Sequence, residues 1–155
     1  MYLDITTGAL RIQIGATNIN TSTNITLNTW SHVAFVNNAG SYAVYVNGTS
    51  VATGSNSTTI QNTTAAIGNF TASAATESFS GYISNLRTTT TAVYTSNFTP
   101  STTPLTAITN TSLLTCQSNR FIDNSANNFA LTVSGTPSVQ RFSPFNPTSA
   151  YSTSV

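Results

Sequence analysis

Charge is what this chain has least of: 5% of its 155 residues are Asp, Glu, Lys or Arg, and none is lysine. Ordinary soluble domains carry about a quarter. The charged residues are Arg11, Arg87, Arg120, Arg141, Asp4, Glu77 and Asp123, and the net charge is +1. So weak a field cannot steer the chain to nucleic acid or to anionic lipid. Cysteine is nearly absent too. The single Cys116 excludes an intrachain disulfide and suits synthesis in a reducing compartment. The single His32 leaves that thiol one possible base, so a Cys–His nucleophile is disfavoured against a small buried hydrophobe. No apolar run approaches the ~20 residues of a membrane-crossing helix. The N-terminus lacks the basic start and apolar core of a signal peptide, so none is expected. No segment joins a 3.6-residue period to caps, which limits helix to one or two turns, near residues 92–95.

What is abundant is neutral and polar. Thr, Ser and Asn make up 31, 21 and 18 residues, and they must provide the solubility that charge usually provides. Thr favours strands, and Asn and Ser favour turns. The apolar fraction of 39%, with eight Phe and six Tyr, exceeds what disordered segments carry. A chain of this length makes one ordinary domain. Eight Asn-x-Ser/Thr sequons begin at Asn20, Asn24, Asn47, Asn56, Asn62, Asn69, Asn97 and Asn110. A composition this rich in Asn, Ser and Thr generates such triplets by chance, and they matter only in a host that glycosylates.

The strongest local signal is the run from Trp30 to Thr49. Val33-Ala34-Phe35-Val36 and Ala43-Val44-Tyr45-Val46 are separated by Asn37-Asn38-Ala39-Gly40-Ser41, and the second ends in Asn47-Gly48. Asn and Gly tolerate positive φ, so each break reads as a tight reversal between antiparallel strands. Apolar groups on both faces place these strands centrally in a layered structure. Residues 2–5 and 9–14 form another predicted hairpin, and a weaker strand is expected near Ile25. Further strands are expected over 65–70, 78–87, 113–116, 129–133 and 139–142, with a bulge where the apolar spacing changes phase between Ile83 and Leu86. Residues 88–104 read as irregular, with Val93, Tyr94 and Phe98 available as anchors. The segment 144–155, with Pro144, Pro147 and a Ser/Thr tail, reads as a linker.

Trp30-x-His32-Val33-Ala34, then Val44-Tyr45-Val46-Asn47-Gly48, Ile67-Gly68 and Gly81-Tyr82-Ile83-Ser84-Asn85-Leu86-Arg87 together resemble the laminin-G-like branch of the concanavalin A-like lectin/glucanase superfamily. The resemblance covers roughly residues 2–87. It implies an all-β, antiparallel jelly-roll-like sandwich with little helix, and a structural core of Trp30, His32, Val33, Phe35, Val44, Val46, Ile67, Ile83 and Leu86. The downstream stretch from residues 91–100 through 141–145 resembles inter-repeat sequence in virion proteins of marine tailed bacteriophages. The chain departs from the family at its start, where the usual opening strands are missing. A similar opening piece instead stands late, over residues 123–133. The expected division is therefore 1–112 as the sandwich, 113–143 as late strands and 144–155 as tail. The late strands would complete the sandwich, open a next repeat, or pair with the open edge of a neighbour.

Candidate sites follow from the same residues. Glycoside hydrolysis needs two carboxyls held about 5–10 Å apart. Only Asp4, Glu77 and Asp123 are on offer, so no enzyme is expected and no catalytic residue is assigned. Calcium is the one cofactor considered, with Asp123, Asn124 and Asn127 as candidate ligands in a loop rich in oxygen atoms. Local turn chemistry accounts for the same residues and is the preferred reading. Tyr42, Tyr45, Tyr82 and Tyr94 are candidate sugar-stacking platforms, whereas Trp30 and His32 are read as packing residues. The expected function is a structural or adhesion module of a phage virion appendage, such as a tail fibre, that meets cell-surface carbohydrate. The alternative is a purely structural, self-assembling subunit. Expected partners are copies of the chain or adjacent repeats of a larger virion protein, and glycan, with neither nucleic acid nor membrane insertion. The expected location is a virion or other extracellular assembly, after synthesis in host cytoplasm.

Overall fold

In a computed structural model, which describes residues 2–6, 9–58, 65–69 and 78–145, the first two predicted strands form the hairpin β1 (Tyr2–Thr6) and β2 (Ala9–Ile14). Strand β3 (Thr17–Asn24) joins the other side of β2, giving an antiparallel sheet in the order β1-β2-β3. Alternation along β2 turns Leu10, Ile12 and Ile14 to one face, where all three are buried. Ile12 stands opposite Ile19 of β3. Strand β3 is almost wholly Thr, Ser and Asn, yet Thr is β-branched and its short side chain can be satisfied inside. The Thr21 hydroxyl donates to the Leu10 carbonyl at 3.1 Å. The weak strand expected near Ile25 thus lies earlier, and Ile25 packs on the core from just beyond it.

The Trp30–Thr49 run supplies a second antiparallel sheet: β4 (Val33–Asn38), β5 (Ser41–Val46) and β6 (Thr49–Ser55), in that order. Both connections are tight turns with two residues at positive φ, Ala39 (49°) and Gly40 (87°), then Asn47 (51°) and Gly48 (81°). That pair of angles matches the right-handed twist of the flanking strands. Val33 pairs with Val46 and Phe35 with Val44. The two sheets share one core of Leu10, Ile12, Ile14, Ile19, Val44 and Val46, with Val33, Phe35, Tyr42, Val51 and Ala52 packed against it. At roughly 1.5–3 kcal/mol for each large apolar side chain removed from water, these residues hold the sandwich together. Tyr42 faces Gly54 across the β5–β6 ladder. Its ring lies where a Cβ on Gly54 would stand, with its Oη 2.5 Å away, so the glycine leaves room for the aromatic.

These elements, with residues Thr91–Pro100, make one compact unit, Met1–Ala65 plus Thr91–Pro100; the other is Ala66–Thr90 plus Ser101–Val155. In the second unit β7 (Leu86–Thr89) pairs antiparallel with β8 (Thr111–Thr115), and Asn69 forms an isolated bridge with Ser78. The strand expected over 78–87 is corrected to β7 alone. Asn85 has φ 57°, which breaks the extended run and produces the phase change between Ile83 and Leu86. Its N–H donates to the Cys116 carbonyl at 2.9 Å, so β7 and β8 start and end at one backbone link. The strand expected over 65–70 contributes only the Asn69 bridge, Phe70 lying outside the described residues. Residues 129–133 and 139–142 form no strand, and no helix occurs among the described residues.

Two assigned core positions are corrected. Ile67 and Ile83 are 41% and 42% exposed. The Ile83 Cδ1 lies 3.7 Å from where a Cβ on Gly68 would stand, so Ile83 rests beside bare glycine backbone. Val44 and Val46 are buried, while Trp30, His32, Val33, Phe35 and Leu86 are half-buried.

Candidate functional site

Asp123 is buried, at 4% exposure, and both its carboxylate oxygens are hydrogen-bonded. Its Oδ1 accepts the N–H groups of Leu114 (3.0 Å) and Ser125 (2.8 Å). Its Oδ2 accepts the Ser125 hydroxyl (2.8 Å) and the Phe129 N–H (3.0 Å). The Asn124 N–H returns a bond to the Leu114 carbonyl at 2.7 Å. Burial alone would raise the Asp123 pKa, but the donors from Phe129, Ser125 and Leu114 outweigh it and hold the carboxyl below its ordinary value. The carboxylate pins the 123–129 turn to the buried end of β8.

The candidate calcium ligands Asp123, Asn124 and Asn127 are engaged in this turn's own hydrogen bonds. A calcium ion needs several inward-facing oxygens, and both Asp123 oxygens already face N–H and O–H donors. Asn127 presents its amide as a donor, from Nδ2 to the Ser112 carbonyl at 2.9 Å. Among the described residues no group of three His, Cys, Asp or Glu could hold a metal. Cys116 is half-buried, and burial pushes its thiol pKa up against a smaller lowering by a hydrogen bond with Thr115. A raised thiol pKa works against a nucleophilic thiolate.

The four tyrosines proposed as sugar platforms have different surroundings. Tyr45 is buried at 3% exposure, on the face of β5 opposite Val44 and Val46. That face is covered by the Thr91–Pro100 segment, whose Tyr94 and Phe98 rings stack at 3.6 Å and 6°. Tyr45 meets Phe98 edge-on at 5.4 Å, and His32 meets Phe98 at the same distance and 79°. Tyr45 is therefore corrected from platform to packing residue, and Tyr94 is half-buried in the same cluster. Tyr42 is half-buried and stacks on Phe35 at 6.4 Å.

The Asn47-Gly48 turn locks this segment in place. Asn47 accepts the His32 N–H on its Oδ1 at 2.9 Å, and its own N–H donates to the His32 carbonyl at 2.8 Å. The Phe98 N–H donates to the Gly48 carbonyl at 2.9 Å. The Phe98 carbonyl oxygen lies 1.8 Å from where a Cβ on Gly48 would stand. The Ser50 N–H donates to Asn97 Oδ1 at 2.9 Å. Gly48 thus serves both the turn and the close approach of a second backbone. The sequence signals the first role through Asn-Gly and carries no signal for the second.

Tyr82, in the second unit, remains open to solvent at 49% exposure. Phe142 holds its ring edge-on at 5.1 Å and 65°. Phe79, 46% exposed, lays its ring over Gly81, with Cε1 2.8 Å from where a Cβ there would stand. The Phe79 N–H donates to the Gly68 carbonyl at 2.8 Å. Phe79 was not among the candidate platforms; the Phe-x-Gly spacing, an aromatic two residues before a bare backbone, was the available signal. Such exposed, braced rings can stack on the apolar face of a sugar while neighbouring hydroxyls and amides bond its edges.

Comparison with known proteins places residues 1–97 in a family model, Laminin_G_3, of the concanavalin A-like lectin/glucanases superfamily. No curated protein and no solved structure matches the chain.

Proposed function

This chain belongs to the laminin-G-like branch of the concanavalin A-like lectin/glucanases superfamily, and from that membership we propose that it is a non-enzymatic structural and adhesion module that contacts carbohydrate. The observation that carries the reading is the braced aromatic pair Tyr82 and Phe142, set in a chain with almost no charge. A neutral polar surface recognises neutral sugars through stacking and hydrogen bonds, with no electrostatic steering. Support for the absence of catalysis comes from Asp123. With both its oxygens held by donors, it can serve neither as acid nor as nucleophile. Of the remaining carboxylates, the Asp4 side chain and all of Glu77 lie outside the described residues. The resemblance of the stretch from residues 91–100 through 141–145 to phage inter-repeat sequence supports placement in a virion appendage such as a tail fibre. No helix among the described residues is long and apolar enough to cross a membrane.

A glycan array probed with the labelled full chain tests the carbohydrate contact. Tyr82→Ala is expected to weaken the best glycan signal about tenfold, the loss of a stacking contact worth about 1.4 kcal/mol, with an unchanged thermal transition. Equal binding by the variant and the parent chain would remove Tyr82 from the site. Steady release of reducing ends from a β-glucan would overturn the non-enzymatic reading.

A further inference from the structure

We propose that residues 129–133 act as a donor strand that pairs with the outer edge of β4 in a second copy of this chain. Phe129-Ala130-Leu131-Thr132-Val133 has the composition of a strand, with its bulky apolar groups at every second position, yet it joins no ladder. Phe129 and Val133 are 55% and 50% exposed, with Leu131 between them half-buried, so both ends of the apolar stripe face water. Its start is fixed: the Phe129 N–H is held by Asp123 Oδ2 at 3.0 Å, and Asn128 turns the chain at φ 48°. Its far end is followed by Gly135 at φ 74°, where an added Cβ would meet nothing within 4 Å. The segment is anchored at one end and has open space at the other.

The β4 edge has the complementary character. The pairings Ala34–Tyr45, Val36–Ala43 and Asn38–Ser41 continue the hydrogen-bonded pair made at His32 and Asn47. The backbone groups of Val33, Phe35 and Asn37 therefore point outward. Among the described residues nothing on that side bonds them. Val33 and Phe35 touch the core but are only half-buried, so the core is unfinished beside β4. An added strand that turns Phe129, Leu131 and Val133 to their side extends it. Neither segment contains a charge or a proline, the usual devices that blunt an edge. The inference rests on the contact-module reading above and names its protein partner.

Sedimentation of the full chain from about 1 µM to about 1 mM tests it, together with amide exchange. Assembly that grows with concentration is expected, with slowed exchange at Val33, Phe35 and Asn37. Val133→Asp, at an exposed position, is expected to weaken assembly roughly tenfold or more by placing a charge in the new core, with an unchanged thermal transition. If that variant misfolds, Thr132→Pro makes the same test by removing a ladder donor. A chain that stays monomeric throughout, a correctly folded variant that assembles like the parent, or unaltered exchange at those three amides overturns the proposal. A monomer that still binds glycan sinks this inference alone; assembly with no glycan binding supports it and sinks the carbohydrate part of the proposed function.

Discussion

At the scale of single residues, Asp123 shows how one carboxylate can organise a loop in a chain with few charges. Removing it in Asp123→Ala strands the N–H groups of Leu114, Ser125 and Phe129. With each orphaned donor costing about 1–3 kcal/mol, a loss of about 3 kcal/mol or more is expected in chemical denaturation. The pH dependence has a definite sign. The folded carboxyl titrates below the ordinary Asp value of 3.8, so the unfolded chain takes up its proton first as the solution is acidified. The stabilisation is complete above that ordinary value and is lost as pH falls through the lower, folded one. Thermal scans from pH 7 down to about pH 2 should show this loss in the parent chain and a smaller one in Asp123→Asn. The residue types of this turn were legible in the sequence. The two bonds to Ser125 are local turn chemistry, but those to Leu114 and Phe129 were not legible, because these residues stand nine and six residues from Asp123.

At the scale of elements, the Asn47-Gly48 turn and the Thr91–Pro100 segment depend on each other. Gly48→Ala places a methyl where the Phe98 carbonyl stands and forces a side chain to φ 81°. Both faults act together, and a cost of roughly 2–4 kcal/mol is expected. Proteolysis should then cut faster within Thr91–Pro100 than it does in the parent chain. Strands built from Val, Ile, Phe and Tyr were readable because both the period of two and the turn residues pointed the same way. Strand β3 was misplaced because Thr and Asn alternate without a hydrophobic contrast. The late strands were overread for the opposite reason. Residues 129–133 have the right pattern, but a strand exists only when another backbone faces it, and the described chain presents none there.

At the scale of the whole molecule, stability comes from apolar burial and neutral hydrogen bonds, with little Coulomb energy. With four Arg and three acidic side chains in 155 residues, screening has little to act on. The thermal transition at pH 7 is expected to move by less than about 2 °C between about 0.05 and 0.5 M NaCl. A larger fall with added salt would reveal an ionic contribution that the composition argues against. The same scarcity of charge leaves β4 with no charged side chain along its edge, the feature on which the proposed pairing between copies relies.

Composition and periodicity by themselves determined the all-β class and the hairpins around Trp30, since these follow from local backbone preference and short-range alternation, while the family resemblance was carried by the motifs between Trp30 and Arg87. Only the tertiary structure decided which tyrosines are covered, that Asp123 bonds a turn to β8, and that Ile67 and Ile83 lie outside the core. Those outcomes depend on which distant backbone stands beside each side chain, and pairing across long loops leaves no periodic trace in the order of residues.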